Sequence, residues 1–130
     1  VDGRLIDGVG PLLETLPSDL ILHVLTADTF GTARAQIEGV NRPGLIFRQK
    51  GTPAEKLAYV HSLDATRVAA IGNGRNDGAM LEAAALGVAT INAEGASVET
   101  LLKADIVCAS ISDALNLFLE PRRITATLRS

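Results

Sequence analysis

The stretch Ile71-Gly72-Asn73-Gly74-Arg75-Asn76-Asp77-Gly78-Ala79-Met80-Leu81 is where residue types and spacing could do chemistry. It falls where an apolar run gives way to a helical pattern. In a parallel sheet, ligands bind beyond the carboxyl ends of strands, where glycines let the backbone come close and a helix N-terminus favours negative charge. Asp77 stands at that place. Taken alone, such a junction also reads as a tight turn in which Asp77 merely caps a helix. Spacing removes two other possibilities. Glycines at 72, 74 and 78 do not form G-x-G-x-x-G, because position 77 is Asp, and G-x-x-x-x-G-K-[ST] occurs nowhere in the chain.

The elements that must position this turn follow from composition and pattern. A chain of 130 residues is long enough for one packed core and too short for two, so a single domain over 1–130 is expected. Hydrophobic residues make up 47% of it and aromatic ones only 3%, so Ala, Val, Ile and Leu build the core, side chains that let helices pack closely on a sheet. Apolar runs and helical patterns alternate from end to end, the signature of an α/β fold with a mainly parallel sheet. Helices are expected over 8–16, 31–38, 52–63, 76–86, 97–103 and 111–119, and strands over 20–26, 45–48, 67–72, 88–91, 106–109 and 124–128. Thr52-Pro53-Ala54-Glu55 is a capping box with proline at the first helical position, and Asn76 is the expected cap of the helix after the glycine-rich turn.

Charge and cysteine usage narrow the function classes. Twelve basic residues against fifteen acidic ones, without long runs, leave no basic stripe, so nucleic acid is not expected as a partner. Cys108 is the single cysteine, which rules out an intrachain disulfide and points to a reducing compartment, the cytoplasm. The longest apolar runs, 20–25 and 68–71, are too short to span a bilayer, so no membrane partner is expected. His23, His61 and Cys108 are scattered in apolar or amphipathic settings, which favours packing or surface roles over metal or thiol chemistry.

In this setting the Gly-x-Gly-x-Asn-Asp turn resembles the fourth motif of the haloacid dehalogenase (HAD) superfamily, in its soluble branch related to P-type ATPases. Two further segments stand where that resemblance requires them. Val24-Leu25-Thr26-Ala27-Asp28-Thr29 ends an apolar strand and is similar to the family's second motif, in which a hydroxyl and the next amide hold phosphoryl oxygens. That role falls to Thr26 and Ala27, with Asp28 in support. Lys56, in the capped helix before the glycine-rich strand, is similar to the third motif, whose lysine balances the charge of nucleophile and phosphate. At roughly 4 Å and an effective dielectric near 20, such a pair is worth on the order of 4 kcal/mol before desolvation. A strand-end Thr is commonly structural and a helix Lys commonly solvated. What carries the resemblance is the order of the three motifs, each on the matching element.

The resemblance implies a three-layer, Rossmann-like HAD fold with helices on both faces of the sheet. No insertion long enough for a cap domain separates the motifs. It further implies a Mg2+ cofactor and a small phosphorylated substrate. Thr26 and Lys56 would be catalytic, and Thr26, Ala27 and Lys56 would grip phosphate. Asp77 and Asn73 would face the metal, on a loop supported by Gly72, Gly74, Asn76 and Asp28.

Two departures qualify those implications. The family's fourth motif usually begins Gly-Asp, whereas Asn73 stands here, and an amide oxygen is a weaker, uncharged ligand for a hard cation. The family's nucleophile is the first Asp of an Asp-x-Asp/Asn-Gly-Thr motif ending a first, central strand, and residues 1–19 hold no such motif. Asp2 and Asp7 read instead as turn and helix-cap residues. The expectation is that the sequence opens just after that motif, as its start at Val1 hints, or that the vacant central place is filled by 124–128 or by a second copy of the chain. Without the nucleophile, turnover should fall by a factor on the order of a million. A magnesium-dependent phosphohydrolase, weak or inactive in this form, is therefore expected. The alternative is a non-catalytic domain that keeps the fold for phosphate or partner binding.

Overall fold

The computed structural model describes residues 9–26, 35, 38–91 and 95–120. The expected strand over 124–128 and most of the expected helix over 31–38 lie outside them, as do Ala27 and Asp28. Two compact units divide the chain, Val1–Gly51 and Thr52–Ser130.

In the first unit, helix α1 (Val9–Thr15) buries Val9 and Leu13, one helical turn apart, followed by Leu16. Pro17 stops it, because proline disfavours helical geometry at the residue before it. The Arg42 guanidinium gathers the carbonyls left over at that end. It donates to the Leu16 carbonyl, to those of Pro17 and Leu20 at 2.7 and 2.8 Å, and to that of Leu13 at 3.4 Å. The Arg42-Pro43-Gly44-Leu45 turn follows, with Gly44 at φ +81° and the Leu45 N–H donating to the Arg42 carbonyl at 3.3 Å. Strands β1 (His23–Thr26) and β2 (Ile46–Gln49) then pair in parallel, from His23 opposite Ile46 to Thr26 opposite Gln49.

The described residues of the second unit form a three-stranded parallel sheet in the order β3 (Ala69–Gly72), β4 (Leu86–Thr90), β5 (Ile106–Cys108). Helix α2 (Pro53–Ser62) precedes it, and α3 (Gly78–Ala83), α4 (Val98–Lys103) and α5 (Ile111–Leu119) follow in turn. Successive residues of a strand face opposite sides of its sheet, and β4 shows what each side meets. Val88 packs with Ile106 against Ala114 and Leu117 of α5. Gly87 turns the other way and lies so close to the Leu81 carbonyl of α3 that a Cβ could not fit. Helices thus cover both faces of this sheet. Burial of Leu81, Val88 and Ala89 at 0% marks the centre of the core, built of small aliphatic side chains as composition requires.

Most expected elements appear with shorter ends. The strand expected over 20–26 begins only at His23, because the Leu20 N–H turns back to the Pro17 carbonyl at 3.1 Å and the Leu20 carbonyl goes to Arg42. The helix expected over 76–86, capped by Asn76, needs a larger correction. A 3-10 turn occupies Arg75–Asp77, α3 runs only over Gly78–Ala83, and Leu86 already belongs to β4. The reason lies in Asp77, which folds back on the turn and forces a tighter path than an α-helix would take. β1 and β3 belong to different sheets, and among the described residues β3 is hydrogen-bonded to β4 alone.

Candidate functional site

The site forms beyond the carboxyl end of β3 and is organised by one side chain. Asp77 reaches back so that its Oδ2 accepts the backbone N–H groups of Asn73 and Gly74, both at 3.0 Å. Its own N–H donates to the Gly74 carbonyl at 3.0 Å, closing the turn. The carboxylate lies directly over Gly72, where a Cβ would come 2.5 Å from Asp77 Cγ. Only glycine fits there. Asp77 is 8% exposed, and a carboxylate so buried must be met by donors.

The second oxygen meets the expected lysine. Lys56 Nζ donates to Asp77 Oδ1 at 2.6 Å, with the two side chains 14% and 11% exposed. Lys56 sits one turn inside α2, whose start is fixed by the Thr52–Glu55 capping box: the Glu55 N–H donates to Thr52 Oγ1 at 3.1 Å, and the Thr52 N–H donates to Glu55 Oε1 at 3.2 Å. The cap therefore sets where the lysine leaves the backbone. Removing one member of a buried pair like this costs about 3–5 kcal/mol, because the other charge is left without a partner.

A second layer holds the turn from behind. The Ser97 N–H donates to the Asn73 carbonyl at 3.0 Å, Asn73 Nδ2 donates to the Gly95 carbonyl at 3.3 Å, and Thr100 Oγ1 donates to the Gly74 carbonyl at 2.7 Å. Nothing around Thr100 in the sequence, a lone hydroxyl between Glu99 and Leu101, singles it out.

Of the expected site residues, Lys56, Gly72, Asn73, Gly74 and Asp77 come together, and Asn76 is exposed on the same turn. Thr26 ends β1 in the other unit, half-buried, with its carbonyl accepting the Lys50 N–H at 2.9 Å. Elsewhere, burial and the Arg48 guanidinium push the His23 pKa down, while burial and the Asp113 carboxylate push the Cys108 thiol up, away from the reactive thiolate.

Among the described residues no three His, Cys, Asp or Glu side chains converge. The oxygens at the turn, the Asn73 amide and the Asp77 carboxylate, are nevertheless the hard donors that magnesium takes. They fit it in kind but are short of charge, since Asp77 already accepts three hydrogen bonds, one from an ammonium.

Residues 34–114 match the family described as haloacid dehalogenase-like hydrolase. The chain belongs to that family. An uncharacterised protein of Methanocaldococcus jannaschii is 48% identical over 83 residues, covering 58% of this chain and 89% of the relative. Among solved structures, this HAD-family chain is similar to the catalytic domain of the CPx-ATPase CopB-B, with a TM-score of 0.65 at 23% identity, over 76% of this chain but only 39% of that one. It is also similar to 3-deoxy-D-manno-octulosonate 8-phosphate phosphatase of Moraxella catarrhalis, solved with magnesium, phosphate and sugar, with a TM-score of 0.66 at 16% identity over 98% of this chain and 75% of that one. A HAD hydrolase structure from Legionella pneumophila gives the same TM-score and identity over 98% of this chain and 69% of that one. At these identities the likeness to solved structures is one of fold. It assigns the HAD-like chain a Rossmann-like α/β architecture of parallel strands with helices on both sides. Among its described residues, no helix is long and apolar enough to cross a membrane.

Proposed function

We propose that this chain carries the phosphate-holding part of a magnesium-dependent, cytoplasmic phosphohydrolase acting on a small phosphorylated molecule, with residues 1–130 serving as one capless core. The observation that carries the proposal is the contact between Lys56 and Asp77 beyond the carboxyl end of β3, where two separated motifs of the family pattern meet. Membership of the hydrolase family and the phosphatase among its structural relatives support the same chemistry.

In this mechanism the Lys56 ammonium faces the phosphoryl oxygens and offsets the charge that builds as phosphorus is attacked. Asp77 fixes where that ammonium stands. The family pattern assigns the Thr26 hydroxyl and the Ala27 amide a phosphate-holding role as well, with Asp28 in support. Asn73 and Asp77 would hold the magnesium ion, which supplies further neutralisation of phosphoryl charge. The attacking carboxylate in the family pattern is an Asp of a motif that residues 1–130 do not hold. Water then releases phosphate from the resulting acyl phosphate.

Calorimetric titration with inorganic phosphate, with and without magnesium, tests the grip. Saturable binding is expected, at least tenfold weaker in Lys56→Met, the loss of one charge-assisted contact. Absence of saturable binding, or equal affinity in both proteins, would falsify the assignment. Asn73 and the pairing of Asp77 with Lys56 favour a second reading, a domain that holds phosphate or a partner without turnover. It shares the phosphate isotherm but allows no hydrolysis of an aryl phosphate when an Asp-bearing strand is supplied.

A further inference from the structure

The turn that presents Asp77 is held from outside by residues of the segment 95–100, and its firmest tie is a buried hydroxyl. Thr100 is 1% exposed and donates through Oγ1 to the Gly74 carbonyl at 2.7 Å. That carbonyl also accepts the Asp77 N–H at 3.0 Å, so both of its acceptor positions are in use. On the other side of the same residue, the Gly74 N–H donates to Asp77 Oδ2 at 3.0 Å. Gly74 is thus gripped at its carbonyl by Thr100 and at its amide by the carboxylate that holds Lys56. The packing permits nothing looser. Gly78, which opens α3, is buried, and a Cβ there would lie 3.5 Å from Thr100 Oγ1 and 3.3 Å from Lys103 Cδ, so α4 lies close against the start of α3.

We infer that Thr100 is a positioning residue for the Lys56–Asp77 pair, acting through the Gly74 peptide and not by touching substrate. The inference rests on the phosphate-binding role proposed above for that pair. A threonine here serves two ends. Its side chain is buried against the start of α3, and its hydroxyl sets the orientation of the Gly74 carbonyl, hence of the amide and carboxylate on either side of it. Without the hydroxyl, the turn keeps Asp77 but loses its outer tie, so Oδ2 is no longer held at a fixed distance from both amides. Lys56 then follows the carboxylate away from where phosphate meets it.

Thr100→Ser, Thr100→Ala and Thr100→Val separate hydroxyl from volume. Nitrogen-15 spectra read the Asn73 and Gly74 amides, whose protons report their bonds to a carboxylate, and calorimetry reads inorganic phosphate affinity. Thr100→Ser should leave both amides near their wild-type positions and phosphate affinity within about twofold. Thr100→Ala and Thr100→Val should move both amides and weaken phosphate about tenfold, the effect of one lost hydrogen bond at a buried carbonyl. If Thr100→Val fails to fold, the Ser and Ala pair still isolates the hydroxyl, since both lack the methyl. Unmoved Asn73 and Gly74 amides in Thr100→Ala, or Ser and Ala variants that behave alike, overturn the inference. Should the wild type bind no phosphate, the phosphate role fails, while the amide shifts still decide whether Thr100 sets the turn.

Discussion

Two charged side chains organise this chain, and they are mirror images in chemistry. Asp77 is an anion that draws in N–H donors from Asn73, Gly74 and Lys56, whereas Arg42 is a cation that draws in carbonyls from Leu13, Leu16, Pro17 and Leu20. Arg42 answers a need every helix has, the leftover acceptors at its carboxyl end. Its partners among the described residues are all backbone, and it serves the scaffold of its unit. Asp77 spends one oxygen on backbone and the other on a side-chain ammonium, at the strand end where α/β folds bind ligands. A charge satisfied wholly by backbone shapes a fold, and one that also holds a second charge can serve a site.

That contrast breaks first at Asp77. Asp77→Ala leaves the Lys56 ammonium and two amides without their acceptor, and should cost about 3–5 kcal/mol in urea unfolding as well as weakening phosphate binding about as much as Lys56→Met does. Arg42→Met should cost about 1.5–3 kcal/mol, the range of a hydrogen bond to a charged group, and leave phosphate affinity intact. If the Arg42 variant lost phosphate binding at unchanged stability, the division between scaffold and site would be wrong. Gly72→Ala drives a methyl into the Asp77 carboxylate, with an expected cost of about 1–3 kcal/mol and a weakened site. Asn73→Asp sharpens the contrast from the other direction. It should tighten magnesium binding by adding charge while losing the bond to the Gly95 carbonyl, so affinity for the ion and thermal stability should move oppositely.

The smallest effect belongs to pH. Burial and Arg48 lower the His23 pKa, so the folded state holds that proton less readily than the unfolded chain does. Its contribution to stability is complete above the unfolded value, about 6.5, and falls as pH drops below it. His23→Gln should flatten this part of the stability profile as pH falls below about 6.5. An unchanged slope would place the proton linkage elsewhere.

The sequence shows some of this plainly and hides the rest for physical reasons. The alternation of apolar runs with helical patterns marks the α/β class, and Thr52 with Glu55 marks the start of α2 because a capping box is encoded within four residues. Lys56 and Asp77, twenty-one positions apart, could be joined on paper only through the family pattern. What stays hidden is the inward turn of Asp77. Asp77, read from the sequence as facing a metal, makes three hydrogen bonds inside the protein, and its inward turn also shortens the helix expected over 76–86. The roles of Thr100 and Arg42 are likewise absent from local pattern, since each depends on carbonyls more than twenty residues away.

The account depends on Asp77 acting through Lys56. A double-mutant cycle on phosphate affinity, with Lys56→Met, Asp77→Asn and both together, measures that dependence. The account predicts that the double variant binds no more weakly than Lys56→Met alone, a coupling of at least about 1 kcal/mol. Losses that add to within about 0.5 kcal/mol would mean the two side chains work independently, and would contradict it.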